Sequence, residues 1–244
     1  MAHRSVKVQE VSSEDAEEFS YYKKPPKEIL RDIEQLNFSN NEKIIEIKHI
    51  KMILSPHVYP SDRFRTTNFL LESLEPFLKD ARVCDMGCGL GVVGLYAIVK
   101  GAKKVVQADI NTFAVDNAKK NRTLHKISDK KLEIYQSDCF DKMPPQKFDV
   151  IIFNPPFHSD FINIKDPLEH AFFDPSFQTV KKFLNQVAPY SLKRHTRIFL
   201  AFSNKGNVDE LELIFKSSSF DWKLWKIINQ DKEFDNRIYL LRKF

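Results

Sequence analysis

Residues 82–95, RVCDMGCGLGVVGL, constrain the fold of this chain more than any other stretch. A short apolar run ends on Asp85, glycines recur at 87, 89 and 91, and an apolar helix is predicted from Val92 to Val99. Four of the chain's six glycines lie between 87 and 94, so the turn is where backbone freedom is concentrated. A strand that passes through such a turn into a helix is the start of a β–α unit, whose next strand must lie parallel to the first. The following pattern agrees. Lys104–Ala108 reads as a strand ending at Asp109, Thr112–Leu124 as a helix, Leu132–Gln136 as a strand ending near Asp138, and Phe148–Phe153 as a strand ending at Asn154. Helix Phe177–Ala188, strand Arg197–Phe202, helix Val208–Phe215 and strands Trp222–Ile228 and Arg237–Arg242 complete it. The prediction is an α/β, doubly wound and mostly parallel sheet, with an antiparallel hairpin at one edge.

Upstream of this alternation the chain is more polar. Pro25-Pro26 precede a short helix over Glu28–Leu36, residues 43–54 read as one or two strands, and a helix is expected over Thr67–Leu78. Residues 1–60 therefore read as an N-terminal extension or lid, with too little apolar content for a core of its own, and 61–244 as the main domain. No run approaches the ~18 apolar residues of a membrane span. The N-terminus lacks the apolar stretch of a secretory signal, and three cysteines are too few for a disulfide framework. The expected setting is the cytoplasm. His49, His125, His170 and His195 have no ligand spacing, so no metal is expected. The net charge of +5, with basic pairs such as Lys23-Lys24 and Lys193-Arg194, is compatible with a nucleic-acid partner and equally with a solvated surface.

Chemistry is concentrated at the strand ends, where open α/β sheets bind ligands. Gly89-Leu90-Gly91-Val92-Val93-Gly94 fits the dinucleotide pattern GxGxxG, with Asp109 at the right distance. A nicotinamide-dependent oxidoreductase is thus one reading. Asp85 argues against it, because a carboxylate beside the turn repels a pyrophosphate. It suits instead a ligand bearing ammonium and sulfonium charges, with Asp109 accepting from ribose hydroxyls and Asp138 from an adenine amine. A silent binding module is a further alternative. The fourth strand runs into Asn154-Pro155-Pro156-Phe157. Two prolines stiffen that loop, leaving the Asn154 side-chain oxygen and the Pro155 carbonyl as an acceptor pair for an NH2 group. Phe157 is placed to stack on a planar substrate.

Asp85-Met-Gly87-Cys88-Gly89-Leu-Gly91 resembles the DxGxGxG motif of class I S-adenosylmethionine-dependent methyltransferases. Asp109, followed by Ile110, matches their second-strand acidic position, and Asp138-Cys139 their adenine-contacting pair. NPPF is similar to the fourth motif of their amino-methyltransferases. NPPFH, ending at His158, resembles the small-domain enzymes that modify guanine or adenine amines of ribosomal RNA. Asp166–Glu169 and Ala171–Asp174 are similar instead to release-factor glutamine methyltransferases. The resemblance implies S-adenosylmethionine at Asp85, Gly87, Cys88, Gly89, Gly91, Asp109, Ile110, Asp138, Cys139 and Asn154. It implies methyl transfer at Asn154, Pro155, Pro156 and Phe157 to a planar nitrogen, with RNA the preferred acceptor and a protein glutamine or a small molecule the alternatives. Arg63, Arg65, Thr67 and His158 are the candidate acceptor contacts, with Lys23, Lys24 and Lys27 beyond them.

Overall fold

A computed structural model of the chain describes residues 8–10, 26–36, 41–192, 195–229 and 234–243. Lys23, Lys24, Pro25, Lys193 and Arg194 lie outside them. In chain order the elements are β1 (Val8–Glu10), α1 (Pro26–Leu36), β2 (Lys43–Ile47), β3 (Ile50–Leu54), α2 (Arg65–Leu74), β4 (Arg82–Met86), α3 (Val92–Val99), β5 (Lys104–Asp109), α4 (Thr112–Leu124), β6 (Leu132–Gln136), β7 (Val150–Phe153), α5 (Gln178–Val187), β8 (Arg197–Ser203), α6 (Val208–Lys216), β9 (Phe220–Asn229) and β10 (Asp235–Lys243). The helix expected over Thr67–Leu78 ends early. Pro76 takes the chain into a 3-10 turn, Glu75–Phe77, after α2.

The main sheet has the order β1-β9-β10-β8-β7-β4-β5-β6. Strands β4 to β8 are mutually parallel, whereas β9 and β10 form the expected antiparallel hairpin on β8. Strand β1, which the sequence pattern did not announce, pairs antiparallel with the outer edge of β9. Alternation along the strands sorts the core into two layers. Val83, Val105, Ile152, Phe199, Ala201 and Ile238 pack with α2 and α3, while Cys84, Val106, Ile151, Phe153, Leu200 and Tyr239 pack with α5 and α6. The central strands β4, β7 and β8 are buried on both sides, which explains why their sequences are nearly continuously apolar.

Residues 26–60 pack onto this unit. Ile29 and Ile33 of α1 meet Leu168 and Phe173, and Ile47, Ile50 and Met52 of the β2–β3 hairpin join the α2/α3 core layer. Each such burial contributes roughly 1.5–3 kcal/mol. The backbone of β3 is satisfied from α4, where Asn117 and Asn121 lie one helical turn apart and fully buried. Asn121 Oδ1 accepts from Ile53 N–H at 2.6 Å, and its Nδ2 donates to Ile53 O at 2.8 Å and to Leu90 O at 2.9 Å. Asn117 Oδ1 accepts from Ser55 N–H at 2.8 Å, and its Nδ2 donates to Ile53 O at 2.7 Å. One side chain thus ties the hairpin to the glycine turn. Replacing Asn121 with Ala strands buried backbone groups and should cost about 1–3 kcal/mol in urea denaturation; a variant as stable as the parent would show that this clamp is unimportant.

Candidate functional site

The carboxyl ends of β4, β5, β6 and β7 open onto a cavity of about 510 Å³. Its floor is the glycine turn. Gly87, Gly89 and Gly91 all have positive φ, at 64°, 54° and 89°, a region that side-chain-bearing residues avoid. A Cβ on Gly89 would point into open space, so this glycine keeps the floor clear. Gly91 also meets a packing demand. It does not line the cavity; it begins α3, and a Cβ there would press on Ala118 of α4 at 3.1 Å and on Gln107 at 3.2 Å. Its smallness serves helix packing.

The carboxylates hold the turn in shape while facing the cavity. Asp85 is buried, and its Oδ2 accepts from Gln107 Nε2 at 2.7 Å and from Gly94 N–H at 3.2 Å. Burial pushes its pKa up to about 7, with the Asp109 charge adding to the effect and the two hydrogen bonds opposing it. Asp109 accepts from Gly89 N–H and Asn111 N–H, each at 2.9 Å, and burial raises its pKa also. Asp138 is half-buried, with Oδ2 in an ion pair to Lys182 at 2.6 Å. That ion pair occupies one carboxylate oxygen and leaves the other for the adenine contact expected from the sequence. Cys88, Ile110 and Cys139 line the same space.

The opposite wall is the Asn154–His158 segment, which β7 delivers beside β4. Asn154 Oδ1 is buried with no hydrogen-bond partner. A buried acceptor without a donor costs free energy, and here it lines an open cavity. Phe157 is half-buried, its ring edge-on to Phe202 at 5.1 Å between centroids. His158 is held through its backbone, its N–H on Phe172 O at 3.0 Å and its carbonyl accepting from Asp174 N–H at 2.8 Å. Arg63 and Arg65 are exposed at the mouth, whereas Thr67 is buried below them on α2. Of the expected site residues that the structure describes, all but Gly91 and Lys27 line this one cavity, and Lys23 and Lys24 lie outside the described residues.

A family model described as methyltransferase small domain matches residues 49–204. The chain belongs to the methyltransferase small domain family. Among its curated relatives, a candidate protein N5-glutamine methyltransferase of Methanocaldococcus jannaschii is 40% identical over 114 residues, covering 47% of this chain and 54% of that protein. The ribosomal RNA small subunit methyltransferase C of Haemophilus influenzae is 28% identical over 152 residues, covering 62% of this chain and 41% of that protein. The chain thus spans about half the length, or less, of these relatives. Among solved structures, the T. thermophilus 16S rRNA N2 G1207 methyltransferase, in complex with AdoMet and guanosine, superposes with a TM-score of 0.60 at 19% identity. That match covers 84% of this chain and 50% of the other.

For this methyltransferase small domain, sequence reasoning missed a third side of the cavity. Ile29 and Asp32 of α1, Tyr59, Phe64, Phe172, Lys205, Phe234 and Asn236 also line it. Tyr59 stacks on Phe64 at 4.7 Å and leans on Phe172 at 5.4 Å. The signal for Asn236 was the polar triplet Asp235-Asn236-Arg237 opening an otherwise apolar strand. Among the described residues, no group of His, Cys, Asp or Glu is arranged to hold a metal ion, and no helix is long and apolar enough to cross a membrane.

Two outcomes follow from this geometry. A Cβ at Gly206, in the turn after β8, would overlap the Phe157 carbonyl oxygen and crowd the Phe202 ring. Gly206→Ala should therefore displace the Asn154–Phe157 loop and lower stability by about 1–3 kcal/mol, and an unchanged urea midpoint would contradict the close approach. Asp85 titrates near 7 when folded and near the ordinary ~4 when unfolded. The folded state holds that proton more tightly, so Asp85 lowers stability progressively as pH rises from about 4 to about 7, with no further change above. Asp85→Asn should flatten that part of the stability–pH curve. A variant curve parallel to the parent's would show that Asp85 is not the titrating group.

Proposed function

We propose that this chain is an S-adenosylmethionine-dependent N-methyltransferase, and that its preferred acceptor is the exocyclic amine of an RNA base. The observation that carries the reading is Asn154, which lines a cavity floored by the glycine turn and whose Oδ1 is buried without a partner. S-adenosylmethionine, when bound, supplies an electrophilic methyl on a sulfonium, so that transfer breaks a carbon–sulfur bond and forms a carbon–nitrogen bond. The rest falls to side chains. Asp85 places negative charge beside a cationic ligand, Asp109 accepts from hydroxyls, and the free oxygen of Asp138 accepts from an amine. Asn154 Oδ1 and the Pro155 carbonyl accept the two amine hydrogens and stabilise the positive charge that develops on nitrogen before it releases a proton. Phe157 and the rigid Pro155-Pro156 pair set the angle of approach.

Arg63 and Arg65 at the mouth, with the net charge of +5, support a phosphate-bearing polymer. The identity with the Methanocaldococcus protein favours a second reading, a protein glutamine on the same acceptor pair. The extension serves as wall and lid, since Ile29 and Asp32 of α1 line the cavity. The three free cysteines, all buried, suit a cytoplasmic setting.

Incubating the full chain with methyl-labelled S-adenosylmethionine, total RNA and total protein, followed by ribonuclease or protease digestion, tests the reading. Label should be released by ribonuclease. Asn154→Ala should slow transfer about a hundredfold or more while calorimetry shows cofactor binding retained. Label confined to protein would select the glutamine reading. Label in neither polymer, or an Asn154→Ala variant of normal rate, would sink the proposal.

A further inference from the structure

A second unsatisfied polar atom belongs to a residue that lines the same cavity. Asn236 is 1% exposed, at the start of β10. Its Oδ1 accepts from Thr66 Oγ1 at 2.7 Å, and its Nδ2 is buried with no partner. The side chain is rigidly mounted. Asp235 and Arg237 on either side form a buried bidentate pair at 3.0 and 2.9 Å. Asn204 Oδ1 accepts from Asp235 N–H at 3.0 Å, and Ser203 Oγ donates to Asp235 O at 2.6 Å. A preorganised buried donor that lacks an acceptor is costly to maintain and is what a ligand-reading position looks like before the ligand arrives.

Its placement says what it reads. Asn236 is level with Ser203 in the β8–β10 register, and Phe153 with Leu200 in the β7–β8 register. Ile152, Ala201 and Ile238 share one core layer, so alternation sets Asn154, Ser203 and Asn236 above that same face. Two strand spacings, about 10 Å, separate the strand carrying Asn236 from the one that ends at Asn154. Resting on the N-methyltransferase reading above, we propose that Asn236 is the residue that selects the acceptor: its Nδ2 donates to a ring nitrogen or exocyclic oxygen of a nucleobase whose amine is held by Asn154. Besides the ring nitrogen beside its amine-bearing carbon, a base carries a further acceptor across the rigid ring from the amine, such as guanine O6, adenine N3 or cytosine O2. A carboxamide carries its amine and its acceptor on one carbon, too close together to engage an acceptor and a donor that stand two strands apart. The aromatic wall of Tyr59, Phe64 and Phe172 supplies stacking surface for a planar ring.

The test uses the full chain saturated with S-adenosylhomocysteine. Guanosine, adenosine, cytidine and N-acetylglutaminamide are titrated separately by ligand-observed NMR against the parent, Asn236→Ala and Asn236→Asp. At least one amine-bearing nucleoside should bind the parent, about tenfold more weakly in Asn236→Ala and more weakly still in Asn236→Asp, whose carboxylate repels the acceptor it faces. S-adenosylhomocysteine affinity should stay near the parent's in Asn236→Ala, which shows the cavity intact even though loss of the Thr66 Oγ1 bond lowers the melting temperature. Equal nucleoside binding in all three proteins would overturn the assignment, as would Asn236-dependent binding of N-acetylglutaminamide alone. If nucleosides bind through Asn236 but no label is transferred to RNA, the transfer reading fails and the recognition role stands.

Discussion

The structure depends on the position of β4. It is the first strand of the alternation, yet it sits in the interior, with β5 on one side and β7 on the other. The chain winds outward from it through β5 and β6 and then returns to its other side at β7, so the loops after β4 and β7 splay apart and open a crevice. The glycine turn enters from one side and the Asn154 loop from the other. Had β7 been added beyond β6, Asn154 would stand three strands away from Asp85, and no single cavity would hold both.

Within that crevice, charge and shape are set by competing demands. Asp85 and Asp109 are retained in a setting that disfavours their ionised forms, and each is partly compensated by backbone N–H groups of the turn. The carboxylates thus fold the loop and furnish the cavity with negative potential. A buried acidic group with incomplete compensation is least costly when a cationic ligand is present, so ligand occupancy and stability are coupled. Lys182 supplies a fixed counter-charge for Asp138, which makes the third strand end more neutral than the first two.

Much of this was legible in the sequence because the parallel core writes its strands as apolar runs ending in a polar residue. Asp85, Asp109, Asp138 and Asn154 each close such a run, and all four line the cavity. The sequence motif treats the three glycines alike, whereas the structure shows that the third also meets a packing demand against Ala118. Asn236 was not legible as a site residue. It begins a strand instead of ending one, and only the antiparallel direction of β10 brings that beginning to the same edge of the sheet as the ends of β4 to β8. The contribution of α1 was hidden too, since long-range packing on Leu168 and Phe173, not local pattern, places it.

The outer edge of the sheet has a bearing on solubility. β9 is ten residues long, with Trp222, Leu224, Trp225, Ile227 and Ile228 along it, and β1 covers it opposite Lys226, Ile227 and Ile228. An uncovered edge of that length and composition is a template for intermolecular pairing, which Lys223 and Lys226 blunt only in part. The three residues of this short strand thus act as a gatekeeper against self-association, and their loss would be felt first in shelf life and expression yield.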